Sequence, residues 1–512
     1  MSGVSPMTAL NRSIRLNASR GGRVLRVVGP GIMIGVGFMD PGNWATDLEG
    51  GARFGYQLLW VLLASNAIAI LVQTLAVRLG IAARRDLAQA CRDQYSRPVA
   101  YTLWLLCEIA IIACDLAEVL GSAIALNLLF GIPLVWGAVI TGFDVLLIIG
   151  LRQCGMRQLE AVVATMVLTI GGCLALEVFL AHPQWELVAQ GLVPRLKPGN
   201  LYLAIGIIGA TVIPHNLYLH SALVQTGSIG PGLRGQRQAV RDHTMGTVLA
   251  LGIAAIVNCA ILVMSAATFF ARGLEVTELR QAYELLAPLL GSSAAAIAFA
   301  IALLASGQSS TITGTLAGQV VMEGFLNLRI SPVWRRLITR SLAIAPAIVA
   351  LMAFGDHSIV KLLVLSQVVL SLQLPFAMVP LARFTGQKAL MGAFVSPAWL
   401  KVLAWATIVG ITTLNVWLVV RTLSDLDIQS GAPWLPPIVA LAGALGGLLL
   451  WIAFAPLAGE RKDQRALPVA SSRGRGDEDG AVLLHQRPGW LQDQGSGIGR
   501  PLRLSPSRTG KP

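Results

Sequence analysis

Residues 35–50 read GVGFMDPGNWATDLEG. An apolar run is interrupted there by Asp40, Pro41, Gly42 and Asn43 and then resumes. Proline has no N–H and clashes with the preceding turn, and glycine adds backbone freedom, so a helix entering this stretch is expected to unwind. A carboxylate halfway through a bilayer costs several kcal/mol, so an acid kept there has a partner or a cavity to hold it. Loosened carbonyls at that depth are tolerated only where protein or a wet cavity satisfies them. A carboxylate, an amide oxygen and freed carbonyls together describe a site for a hard cation, with Asp40 as its acid.

The same device returns at residues 206–221, GIIGATVIPHNLYLHS. Ile213-Pro214-His215-Asn216 repeats Asp40-Pro41-Gly42-Asn43 in the placement of the proline and of the asparagine two residues later. Two interrupted apolar segments at corresponding places in two halves of a chain point to a secondary-transporter site at the interface of two repeats.

Composition sets the class. With 512 residues, 55% hydrophobic and only 13% charged, the chain is too apolar for a string of soluble domains and reads as a polytopic membrane protein. Its six cysteines, at 91, 107, 114, 154, 173 and 259, form no CxxC or Cys/His pattern. That argues against a zinc site or disulfide framework and leaves them as small apolar side chains in helices. The net charge of +13 is judged by where the charges fall rather than as a sign of nucleic-acid binding.

Apolar runs of about 20 residues, enough to span a bilayer, lie near 28–54, 57–80, 100–129, 132–151, 159–181, 200–225, 245–271, 287–325, 336–355, 359–382, 400–420 and 435–457. Lysine and arginine collect in short cytoplasmic loops, and alternate loops here are basic. The series is Arg84, Arg85, Arg92 and Arg97, then Arg152 and Arg157, then Arg234, Arg237 and Arg241, then Arg329, Arg335 and Arg336, then Arg383, Lys388 and Lys401. The opposite loops are mixed or acidic, as with Glu275, Glu278 and Glu284. About twelve spans with both termini in the cytoplasm follow, and the two breaks, five spans apart, run antiparallel. Residues 1–27 are a basic cytoplasmic segment, with Arg12, Arg15, Arg20, Arg23 and Arg26 and no evident cleavable signal peptide. Residues 459–512 are polar and Gly/Pro/Arg-rich, which predicts a disordered cytoplasmic tail able to touch anionic lipid.

The third span carries Glu108, Asp115 and Glu118, whose spacings of seven and three put all three acids on one helical face. Ionisable groups inside a membrane face the bundle interior and mark proton routes or ion pairs. Arg336 and Arg340 of the ninth span are the candidate partners. His215, beside the second break, has the side chain that titrates near neutrality and could accept a proton, though packing explains it equally well; His220 could extend a polar path. The eighth span, ASGQSSTITGTLAGQVVMEGF, is small and polar for most of its length, which suits close helix packing or a water-lined route. In the tenth, Gln367 could lend an amide oxygen to a cation.

MDPGNWATD, EIAIIACDLAEVLG, GATVIPHNLYLHSALVQ, GQSSTITGTLAGQVVMEGFL and SQVVLSLQLPF, spread over residues 25–420, resemble the Nramp family (natural resistance-associated macrophage proteins) and its bacterial proton-dependent manganese transporters. The resemblance implies an all-α, LeuT-like fold of two inverted five-helix repeats, about 28–181 and 200–382, with two extra helices at about 400–457. It implies import of divalent metal, manganese first and iron possible, coupled to protons by alternating access in the cell inner membrane. The metal and protons are cargo and no resident cofactor is expected; membrane lipid is a partner, nucleic acid is not, and the oligomeric state is left open. Carried over by motif, Asp40 and Asn43 are side-chain ligands, Gly37 and Ala210 carbonyl ligands, and Gln367 a ligand in some states. Asp115, Glu118 and His215 fall at the proton-linked positions, with Arg336 and Arg340 as their salt-bridge partners.

One position departs from the pattern. The family usually carries methionine where this chain has Ile213, and isoleucine cannot coordinate. An oxygen-only shell would suit manganese or magnesium and exclude calcium and magnesium less well, which makes a magnesium-permissive transporter the alternative. A LeuT-like carrier of an organic solute fits less well, because Asp40 at the break favours a cation over a substrate carboxylate. A sensor that binds metal without moving it differs only in flux. An intramembrane enzyme lacks any HExxH or GxSxG signature.

Overall fold

The computed structural model describes residues 31–457 apart from 145–155, 196–197, 227–228, 277, 329–330, 355–358 and 431–434. The expected N-terminal segment 1–27 and tail 459–512 lie outside the described residues. Among the described residues the chain is helical throughout, with no strand.

Each expected span has a helix. The first is split into α1 (31–37) and α2 (Pro41–Phe54). Then come α3 (Leu59–Ala82), α4 (Leu87–Gln94), α5 (Arg97–Phe130), α6 (Leu134–Thr141) and α7 (Met156–Ala181). The second half opens with another split helix, α8 (Leu201–Thr211) and α9 (Pro214–Leu223), followed by α10 (Gly232–Thr268), α11 (Leu279–Leu290), α12 (Ser293–Leu326), α13 (Pro332–Phe354) and α14 (Ile359–Gly386). Two more, α15 (Ala398–Ser430) and α16 (Leu435–Phe454), close the bundle. Nine helices among the described residues are long and apolar enough to cross a membrane. Three of the expected spans are not counted separately there. The first two spans run together as one 42-residue stretch, the fourth is described only over α6, and α13 carries Arg335, Arg336 and Arg340 in its first half.

The two split helices sit at the centre. Every residue from 33 to 48 is buried, as is every residue from 203 to 224. The α10 helix packs along α2 and α3, α14 along α8 and α5, and α12 against α5 and α7. The polar stretch of α12 therefore faces protein: Ser306, Ser309, Ser310, Thr311 and Thr313 are all buried. Ser306 donates to the Met39 carbonyl in the first break, and Thr311 donates to Glu118 at 2.8 Å. Of the two readings of that span, close packing with hydrogen bonds between helices describes this arrangement.

Candidate functional site

The first break is built by capping. Asp40 is extended (φ −69°, ψ 165°) and is the N-cap of α2, with Pro41 in the first turn. Its Oδ1 accepts from the Asn43 backbone N–H at 2.9 Å and from Asn43 Nδ2 at 2.7 Å. An aspartate followed by proline is a strong helix start, because the carboxylate satisfies an orphan donor and proline needs none. Capping occupies Oδ1 and leaves Oδ2 directed elsewhere: Cys114 Sγ on α5 lies 3.9 Å from it.

Each proline also releases a carbonyl. In a continuous helix the carbonyl of residue i accepts from the N–H of residue i+4. Pro41 stands four residues after Gly37 and Pro214 four after Ala210, so neither carbonyl has that donor. One of the freed carbonyls meets the asparagine of the opposite break. Asn43 Nδ2 donates to the Ala210 carbonyl at 3.1 Å. The Asn216 amide lies so close to Gly37 that a β-carbon on Gly37 would overlap Nδ2. Asn216 is fully buried, and among the described residues neither of its amide atoms has a hydrogen-bond partner.

Of the expected metal ligands, Asp40, Asn43 and Ala210 are thus joined by hydrogen bonds. Gly37 ends α1 against Asn216 on the facing break. Gln367 of α14 is buried with its amide lodged over Gly42, where a β-carbon would collide with Nε2. Its Nε2 donates to Ser366 Oγ at 2.9 Å while Oε1 has no partner among the described residues. Asn43 Oδ1 accepts from Asn258 Nδ2 at 3.4 Å, so its amide must turn over before that oxygen can face an ion. Ile213, the N-cap of α9, is buried in one cluster with Ala110, Cys114 and Leu370. Among the described residues no three His, Cys, Asp or Glu side chains are grouped to hold a metal. A cation here would rely on amide and carbonyl oxygens beside its acid.

Asp115 and Glu118 are buried on α5, and Arg340 joins them. Its Nη1 lies 3.6 Å from Asp115 Oδ1 and 3.3 Å from Glu118 Oε2, and its Nη2 donates to Thr311 Oγ1 at 3.0 Å. The same guanidinium pairs with Asp144, just beyond α6, a residue that sequence reasoning did not single out. Glu108 pairs instead with Arg335, at 2.8 Å. Arg336, the other expected partner of the third-span acids, has a side chain outside the described residues. His215 is buried in the first turn of α9, and among the described residues its Nδ1 has no hydrogen-bond partner. His220 Nδ1 is 2.8 Å from Gln73 Oε1.

Three acids gather around one guanidinium in a buried place. Cys114 links the two clusters, because its Sγ is also 3.8 Å from Glu118 Oε1.

Residues 31–421 match the family described as natural resistance-associated macrophage protein-like (Nramp). The chain is 53% identical over 421 residues to a divalent metal cation transporter, MntH, of Nostoc sp., covering 81% of this chain and 95% of that one. A crystal structure of a mutant manganese transporter from Eremococcus coleocola superposes with a TM-score of 0.79 at 36% identity, covering 87% of this chain and 97% of that one. At the level of fold alone, the nucleobase-cation symporter Mhp1 in a closed conformation gives a TM-score of 0.54 at 13% identity, over 77% of this chain and 93% of its own.

Proposed function

The chain belongs to the Nramp family, and from that premise we infer that this multi-pass membrane protein imports divalent metal ions, manganese first, by alternating access coupled to protons. The fold is the LeuT-like one, with two inverted five-helix repeats and two further helices. The observation that carries the reading is the meeting of the two breaks, in which the acid of one and the freed carbonyl of the other hydrogen-bond to a single amide nitrogen, Asn43 Nδ2. An amide bearing two hydrogens between two oxygens stands where a dication would draw the same oxygens together.

On this reading Asp40, Asn43, Ala210, Gly37 and, in some conformations, Gln367 hold the ion. Asp115, Glu118 and His215 carry protons, with Arg340 fixing the acids. Glu118 lies one sulfur atom away from Asp40, near enough for a dication at one cluster to alter the charge balance at the other. Both termini are cytoplasmic and the membrane is the cell inner membrane. An interior at −100 mV then favours entry of a dication by about 4.6 kcal/mol, and each accompanying proton adds about 2.3.

Uptake into proteoliposomes, with a panel of divalent ions outside and a pH dye inside, tests both halves of the reading. Manganese entry with luminal acidification is expected. Entry of labelled amino acids instead of metal would overturn it, and metal entry without acidification would remove the proton coupling.

A further inference from the structure

With isoleucine at 213, the ion's shell was expected to be oxygen only. The fold places sulfur there. We propose that Cys114 Sγ is a donor to the transported ion beside Asp40 Oδ2, and that it makes the site favour soft and borderline dications over magnesium and calcium. The proposal rests on the metal-transport reading and names the residue that sets its selectivity.

Three observations support it. First, capping by Asn43 occupies Asp40 Oδ1, and the contact the structure shows for Oδ2 is Cys114 Sγ at 3.9 Å. Sulfur at about 2.3 Å and oxygen at about 2.1 Å on one tetrahedral zinc-sized ion sit about 3.6 Å apart. The observed separation needs to close by only a few tenths of an ångström, and less for a larger ion such as cadmium. Second, the cysteine is not alone at this place. Gln367 is fully buried with its amide over Gly42, two residues from Asp40, and its Oε1 is unpartnered among the described residues. That is a second donor in need of a positive partner. Third, Cys114 lies in one apolar cluster with Ile213, Ala110 and Leu370, so the thiol is held at the second break as well as the first. A proton displaced from sulfur by the metal has Glu118 Oε1 at 3.8 Å to receive it.

Thiol sulfur is a soft donor that prefers cadmium and zinc, whereas magnesium and calcium prefer oxygen. Cys114 therefore shifts relative affinity more than it shifts uptake of manganese.

The test uses the full-length chain in proteoliposomes, with manganese as the transported probe and cadmium and magnesium as competitors. In Cys114→Ser the ratio of magnesium to cadmium inhibitory concentrations is expected to fall by tenfold or more. Ile213→Met added to Cys114→Ser returns a soft donor to the same cluster and is expected to recover most of that ratio. In detergent, cadmium should give the wild type an ultraviolet cadmium–thiolate band that Cys114→Ser lacks. A Cys114→Ser protein that takes up manganese with a competitor ratio within twofold of wild type, and an unchanged cadmium band, would overturn the proposal while leaving the transport reading intact. Wild type that moves no metal but shows the Cys114-dependent band would overturn the transport reading and keep the donor. Should the serine variant not insert, Cys114→Thr carries the same comparison.

Discussion

Asn43 Nδ2 lies 3.1 Å from the carbonyl oxygen of Ala210, 167 residues further along the chain. On the facing side Asn216 Nδ2 crowds Gly37, where a β-carbon would overlap it. In both cases an asparagine two residues after a proline reaches the residue four before the other proline, as an inverted repeat requires. The ion site is thus a property of the two breaks together, and altering either one is expected to disable it.

Asp40→Asn separates the two jobs of that residue. Asparagine caps a helix about as well as aspartate, so α2 should keep its start and the protein its monodisperse elution. The site loses its carboxylate, however, and manganese uptake should fall to background. Uptake near the wild-type rate from a folded Asp40→Asn protein would show that the ion binds elsewhere.

Much of this was legible because proline and glycine act at fixed offsets. The breaks, their antiparallel relation and the acids on one face of α5 follow from residue type and a 100° step per residue. What escaped depends on how helices rotate against each other. Arg335, counted among the loop charges, meets Glu108. Asp144, inside the expected fourth span, was not singled out, and it pairs with Arg340. Cys114 was read as a small apolar filler because nothing local to it signals that Asp40, 74 residues earlier, would lie against its sulfur. Gly42 was read for backbone freedom, whereas its missing side chain is also the space in which the Gln367 amide rests.

That last contact makes a prediction. In Gly42→Ala the new methyl must displace the end of the Gln367 side chain, a flexible group, so stability should drop by only about 1 kcal/mol, the low end for overpacking. Metal uptake should fall several-fold in Gly42→Ala and in Gln367→Ala. The double variant should be no worse than either, since both remove the same oxygen from the same place. Initial rates of manganese uptake decide it: independent, multiplying effects would show that Gln367 and Gly42 act separately.

Arg335 and Arg340, both buried, should differ in what they tolerate. Arg340 serves Asp115, Glu118, Asp144 and Thr311 at once, a fan of contacts that a point-charge ammonium cannot reproduce. Arg340→Lys is expected to destabilise the protein by about 3 kcal/mol or more, the range for breaking a buried ion pair, and to abolish luminal acidification. Arg335→Lys, which must satisfy only Glu108, should cost about 1 kcal/mol and keep it. Thermal unfolding in detergent together with the pH-dye assay measures both. Equal losses for the two variants would contradict the assignment of the network to Arg340.

Outside the spans, Asp86 gives the fold a pH dependence. It caps α4 by accepting from the Gln89 N–H at 2.8 Å and is almost wholly buried. Burial pushes its carboxyl up to about 7 from an ordinary 3.8, against the pull of the Gln89 N–H and of Arg92. The protonated acid is the form the fold accommodates. Below pH 4 the group is protonated whether the chain is folded or not, so its contribution to stability is complete there. Between about 4 and 7 the unfolded chain releases the proton and the folded chain keeps it, so stability declines as pH rises and levels off above 7. The full loss is on the order of 4 kcal/mol. Asparagine can cap the same N–H without carrying a charge. Asp86→Asn should therefore match wild type at pH 4, unfold at a progressively higher temperature than wild type as the buffer is raised to pH 8, and flatten that part of the stability curve. Melting curves that stay parallel across the range would show that the Asp86 carboxyl ionises freely in the folded protein.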